Sequence, residues 1–238
     1  MNRVEQNASR LAGLRSEDYF FIAMATVIVA TVFLGFGKSY FLAGMFGASL
    51  PTRLIHLHGA IFTCWILLFV AQVALVSARR ISWHKQLGVL GMGLAGVMLV
   101  VGIATLIQTV RRRVKFGIGL DTIFADDVLF LAVFAVLIAW AFAARKDGAA
   151  HKRLVLLASA AILGPAVSRW PFDFGVVVFV LICDFVPILL IAFDLWSLRR
   201  IHRVTAIGMA LIVAMQLALI PLGHSAIWHR VTFWVQSF

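Results

Sequence analysis

The chain has 238 residues, of which 63% are hydrophobic and only 13% charged, with a mean hydropathy of +1.01. A water-soluble domain of this size cannot hide so much apolar surface, so lipid is the solvent for most of the chain. The formal charge of +11 sits in short segments between apolar runs. That is the pattern of helix ends facing anionic headgroups, and it excludes nucleic acid as the partner.

In chain order, the first 18 residues are polar and carry Arg3, Glu5, Arg10, Arg15, Glu17 and Asp18. No small-residue cleavage site separates them from the apolar run that follows, so they read as a cytoplasmic tail before a retained first helix. Seven apolar runs come next: Tyr19–Phe36, Leu54–Ser77, Leu87–Val110, Val128–Ala144, Leu154–Ser168, Gly175–Trp196 and Val204–Gly223. Most approach the roughly 20 residues that cross a bilayer, and unbroken runs of this kind exclude a β-barrel. The fifth is short and ends at Arg169-Trp170-Pro171, where an Arg can snorkel and an aromatic can sit at the interface. The expected fold is all-α. A single seven-helix transmembrane domain covers residues 19–223, between the tail of residues 1–18 and a short amphipathic C-terminal tail of residues 224–238.

Most Lys and Arg residues fall on one side if the N-terminus is cytoplasmic, including Arg79, Arg80, Lys85, Arg145, Lys146, Lys152, Arg153, Arg199, Arg200 and Arg203. The positive-inside rule then predicts an inner N-terminus and an outer C-terminus. The run Arg111–Lys115 argues the other way, although Asp121, Asp126 and Asp127 follow it closely. A pattern repeats on the inner side: a basic pair, a short spacer, then His84-Lys85, His151-Lys152 or His202-Arg203. Either short cytoplasmic turns simply need cations, or three imidazoles at one depth ring a shared inner site. Five glycines from Gly88 to Gly102 predict a third helix central to the bundle, because small residues let membrane helices approach closely. Cys64 and Cys183 lie inside apolar runs without metal-type spacing and read as packing residues.

Ionisable groups within a membrane span are costly enough to be functional candidates by default. The sharpest instance is His56-Leu-His58-Gly59 at the opening of the second run. Residues i and i+2 on a helix point about 200° apart, so both histidines bind one metal only if the helix begins after His56. Otherwise His58 shares a stripe with Phe62, Trp65, Phe69 and Gln72, and His56 is a boundary residue. The outer half also collects Asp126, Asp127, Arg169, Asp184 and His224. Asp184 is the deepest acid, about 13 Å from its helix start. It must be protonated, paired or wetted, and an Arg169–Asp184 ion pair is one way to satisfy it.

Three chemistries fit this material. A haem b takes axial imidazoles from two helices, which His58 with His224, or His84 with His151, would supply for quinone-linked electron transfer. A transition metal such as zinc or iron would use His56, His58, Asp127 and Asp184, with His224 as a further ligand. Water on that metal would make a lipid hydrolase. Without any metal, the interfacial residues would meet a quinone, another lipid or the partner subunits of a larger membrane complex, in which this chain is a non-catalytic accessory. A retinal protein is excluded, because Val204–Gly223 has no Lys for a Schiff base.

His-Leu-His-Gly-Ala-Ile-Phe-Thr-Cys-Trp65, with Arg79-Arg80 and His84-Lys-Gln-Leu-Gly88 downstream, resembles a family of bacterial seven-helix membrane proteins bearing an His-x-His-Gly motif. The stretches Ala150-His151-Lys-Arg-Leu and Ser168-Arg169-Trp-Pro171 and the Asp184 span carry the same resemblance, which covers roughly Arg53 to Arg203. The resemblance implies a multi-pass protein of the bacterial inner membrane. Its pattern positions are His56, His58, His84, Asp127, His151, Arg169 and Asp184. No activity comes with it.

Overall fold

In hydrocarbon every backbone polar group must be paired within its own segment, so each apolar run becomes a helix. The computed structural model describes residues 14–48, 52–113, 119–172 and 175–237. Most of the tail, with Arg3, Glu5 and Arg10, lies outside the described residues, as does Lys115. The helices in chain order are α1 (Ser16–Phe36, continued by a π turn at Gly37–Phe41), α2 (Arg53–Ser77), α3 (Ile81–Arg111), α4 (Leu120–Ala143) and α5 (Gly148–Ala161). They are followed by α6 (Gly164–Val167), α7 (Val176–Cys183), α8 (Phe185–Leu198), α9 (Arg203–Gly223) and α10 (Ala226–Gln236). No strand occurs among the described residues.

Helices α1, α2, α3, α4 and α9 are each long and apolar enough to cross a membrane, and α7 with α8 makes a sixth span if the bent pair is one. The bend has a covalent cause. Pro187, in the first turn of α8, has no N–H to return to the Cys183 carbonyl, and its ring crowds that carbonyl. The chain therefore turns by 52° at Asp184, between the two halves.

The fifth apolar run divides in the same way. Pro165 has no N–H for the Ala161 carbonyl, and α5 ends there after 14 residues. That is about 21 Å at 1.5 Å per residue, short of a bilayer. Yet α5 and α6 together accompany α1 along its whole length. Lys152 pairs with Glu17 at one end. At the other, Trp170 Nε1 donates to the Thr31 carbonyl (3.2 Å) and Ala166 lies against Gly35. A Cβ on Gly35 would stand 2.1 Å from the Ala166 carbonyl oxygen, so only glycine allows this approach.

The centre of the bundle is α5, not the third helix. Leu154, Leu156, Leu157, Ala158 and Ser159 are completely buried, as expected where a stretch of helix lacks charge on every face. On α3, Gly91 and Gly102 pack against Leu68 and Leu131, whereas Gly93 and Gly96 have no neighbour within 4 Å and Val89, Leu90 and Val100 face outward. The glycines therefore serve one inner seam, and the other face of α3 meets lipid.

A polar knot locks the end of the bundle that carries the N-termini of α1, α3, α5 and α9. Arg153 Nε and Nη2 donate to Asp194 Oδ1 at 2.9 and 2.6 Å. Asp194 Oδ2 accepts from the His202 amide (3.0 Å) and Thr205 Oγ1 (2.6 Å). Three residues from α5 and the start of α9 thus share one carboxylate of α8. At the opposite end α10 is capped by Ser225, whose hydroxyl accepts from the Trp228 amide. It docks through Trp228, Thr232 and Val235, and Trp228 Nε1 donates to the Asp121 carbonyl (2.9 Å).

Candidate functional site

Helix α2 begins at Arg53, ahead of both histidines of the His-x-His, so the two diverge. His56 is exposed beside the Tyr40 ring (5.4 Å), and the Tyr40 hydroxyl donates to the His56 carbonyl (3.0 Å). His58 turns inward and stacks on Phe62 at 4.1 Å. Its Nδ1 is buried and has no hydrogen-bond partner among the described residues. Further along the same stripe, Trp65 and Phe69 are buried and Gln72 reaches a cavity.

That cavity, of about 170 Å³, lies between α1, α2, α3 and α5, with Ile138 of α4 at its wall. Phe21, Trp65, Leu68, Phe69, Met92 and Val155 make its apolar surface. Gln72, His84 and His151 supply polar atoms, and Glu17, Asp18 and Lys152 stand at the N-terminal end. The helix starts explain the placement: His84 is in the first turn of α3, and His151 is in the first turn of α5, whose N-terminus Asp147 caps through the amides of Ala149 and Ala150. The two imidazoles meet with ring centroids 6.2 Å apart and planes at 82°.

Their hydrogen bonds define what they offer. His151 Nδ1 lies 2.8 Å from the Ala141 carbonyl. A carbonyl only accepts, so Nδ1 carries the proton and the neutral ring keeps Nε2 as an acceptor. Gln72 Nε2 donates to the His84 carbonyl (3.2 Å), which fixes the amide and leaves Oε1 buried without a partner among the described residues. His84 Nδ1 is likewise buried and has no partner among those residues. Buried polar atoms are almost always bonded, so two orphans lining one cavity mark the place where a ligand or water belongs. Beside them, Arg79 Nη2 bonds Asp18 (2.7 Å) and Lys152 bonds Glu17, tying the first turn of α1 to its neighbours.

Of the three repeated basic-His segments, two build this chamber and one does not. His202 caps α9, its Nδ1 accepting from the Val204 amide (3.4 Å). Burial, and then the Arg153 cation, hold its pKa below the ordinary value. That keeps the ring neutral and able to accept.

At the other end of the bundle the expected sets are only partly assembled. The charge of Arg169 acts on both His58 and Asp127. Its guanidinium donates to the Pro165 carbonyl and lies over the Phe36 ring at 4.9 Å. It does not pair with Asp184, which instead accepts from Gln216 Nε2 at 2.9 Å. His224 is exposed and its Nδ1 bonds back to the Ile220 carbonyl (2.9 Å), with no ring contact to His58. Among the described residues no three His, Cys, Asp or Glu side chains converge as metal ligands would, so His56, His58, Asp127 and Asp184 do not form one centre. Two residues not singled out from the sequence prove central, Asp194 and Gln216. Both lie inside apolar runs, the same signal that marks Asp184.

Comparison with protein-family models, with curated proteins and with solved structures finds no match. Fold and composition nevertheless define the class. This is an all-helical integral membrane protein whose surroundings are a lipid bilayer.

Proposed function

We propose that the protein is a quinone-linked redox component of a bacterial cytoplasmic membrane, with the headgroup of the quinone held between Gln72, His84 and His151. In this reading the chain crosses the bilayer seven times, α5 with α6 forming the short crossing beside α1, and the N-terminus is cytoplasmic. The excess of Lys and Arg at the chamber end supports that orientation. Electrons come from a redox partner in the same membrane complex.

The observation that carries the reading is the chamber: one ring's volume, apolar and aromatic walls, and orphaned polar atoms at one end. A dry cavity of about 150 Å³ accepts benzene, so 170 Å³ suits a single six-membered ring and not a larger ring system. The polar atoms match both redox forms. Gln72 Oε1 can only accept, and so addresses a quinol hydroxyl. His84 Nδ1 can donate to a quinone carbonyl or accept from a quinol, according to its tautomer.

The test is binding by the full chain in detergent micelles. A soluble one-ring benzoquinone should quench tryptophan fluorescence through Trp65, saturably. His84→Ala, His151→Ala and Gln72→Leu should each weaken binding about tenfold, the scale of one lost hydrogen bond. Saturable binding that all three variants retain at wild-type strength would place the headgroup elsewhere, and no binding at all would sink the reading.

A second reading has its own observation. Two imidazoles on opposite sides of one metal ion, with bonds of about 2.0–2.1 Å, stand with centroids roughly 6 Å apart. The separation of His84 and His151 is 6.2 Å. A haem is larger than the 170 Å³ chamber, so this reading needs the chamber walls to move apart. The visible spectrum of the purified protein decides this, through a Soret band that His84→Ala and His151→Ala both abolish.

A further inference from the structure

Asp184 occupies the break between α7 and α8, inside the sixth apolar run, and is only 5% exposed. Its Oδ1 accepts from Gln216 of α9, and its second carboxylate oxygen carries no hydrogen bond among the described residues. Beside it is a cavity of about 10 Å³ lined by Cys183, Asp184, Gln216, Met215 and Phe130. That is roughly the room of one water molecule.

We propose that this break is a binding site for one small monovalent cation, a proton or Na⁺, with Asp184 as the charged ligand. Charge balance leads to this assignment. A carboxylate buried in a span is tolerated only when neutralised, and among the described residues no basic side chain lines the cavity. The residues that the neighbouring elements place on its wall are not titratable: Phe130 from α4, Ala160 and Ala161 from α5, Gly164 from α6, Met215 and Gln216 from α9. The other ionisable neighbours are the Cys183 thiol and Asp126 of α4, which lies within electrostatic reach of that thiol. Neither brings a positive charge, so the site lacks one.

The backbone adds to the same demand. Pro187 deprives the Cys183 carbonyl of its helical partner, and the C-terminal end of α7 carries the negative pole of its dipole. Broken membrane helices use such carbonyls to coordinate Na⁺, beside a carboxylate that can take a proton instead. Gln216 is fixed with Nε2 on Asp184, which leaves its Oε1 as a further neutral oxygen. A single carboxylate with neutral oxygens, in a space for one water, matches a monovalent ion. The site is independent of whatever fills the chamber near His84.

The experiment is difference infrared spectroscopy of the full chain reconstituted in lipid, reading the carboxyl stretch. Exchanging choline for Na⁺ at fixed pH, or stepping the pH in choline chloride, should produce a carboxyl band that Asp184→Asn abolishes. That variant keeps an acceptor for Gln216 and should fold. A Na⁺-driven band identifies Na⁺, and one driven by pH alone identifies the proton. Gln216→Leu gives an independent check, and should shift the midpoint of the response about tenfold. The proposal falls if no such band appears, if the band survives Asp184→Asn, or if Gln216→Leu leaves the midpoint in place.

Discussion

Arg153 and Asp194 are 2% and 0% exposed, and two guanidinium nitrogens converge on a single carboxylate oxygen of Asp194. The remaining oxygen ties down the His202 amide and Thr205. Removing one partner would leave a buried charge alone, at a cost of about 3–5 kcal/mol. Arg153→Met or Asp194→Leu should therefore lower the melting temperature sharply in detergent. The double variant, apolar on both sides, should recover much of the loss, giving a strongly non-additive cycle.

Gly35 and Gly93 make a matched pair for testing the helix seam. Alanine at position 35 would drive its Cβ into the Ala166 carbonyl, forcing α1 away from α6. A loss of about 1–3 kcal/mol is expected, in the range of overpacked cores. Gly93 has open space around it, so Gly93→Ala should be neutral or slightly stabilising through helix propensity. Thermal unfolding of the two variants side by side measures the contrast.

His202 predicts a pH dependence. Its folded-state pKa lies below the ordinary 6.5 because of burial and the Arg153 cation. In the window below about 6.5 the unfolded chain binds the proton more readily. The stability this residue contributes is thus present above that pH and is lost as pH falls. Protonation also removes the acceptor that caps α9. Melting temperatures between pH 8 and pH 5 should decline, and His202→Asn, which caps without titrating, should flatten that decline.

Filling the chamber should separate binding from folding. Gly88 lines the cavity, and a Cβ there meets Gln72 Nε2 only at 3.4 Å, an ordinary contact. Gly88→Val places branches into the space proposed for the ring. Quinone quenching of tryptophan fluorescence should be lost while the melting temperature stays within about 1 kcal/mol of equivalent stability.

Hydropathy alone locates the helices well: each of the seven apolar runs lies within or overlaps a helix or a broken helix pair. What it cannot reveal is which helix is central. Both α3 and α5 contain an apolar run, and only the three-dimensional contacts of Gly93 and Leu157 tell lipid-facing from buried. The divergence of His56 and His58 follows from helical geometry and is seen in the structure. The neighbouring positions of His84 and His151 were legible as a repeated motif, but their hydrogen-bond partners were not. The carbonyls of Ala141 and His84, which His151 and Gln72 bond, are backbone groups that leave no pattern in a sequence. Asp194 was visible as an acid in an apolar run, yet its partner Arg153 was hidden among the cations that set orientation.

The buried α5 has a consequence for how the molecule is made. Its first turns hold His151, Lys152 and Arg153, and it spans only 14 residues. Arg153 is matched by a carboxylate 41 positions later in the chain, so the helix is synthesised before its counter-charge exists. A lone guanidinium stays at the water surface rather than enter hydrocarbon. Final seating of α5 must therefore wait until α8 and α9 have emerged. Although the chain is read from its N-terminus, the bundle is completed in its middle.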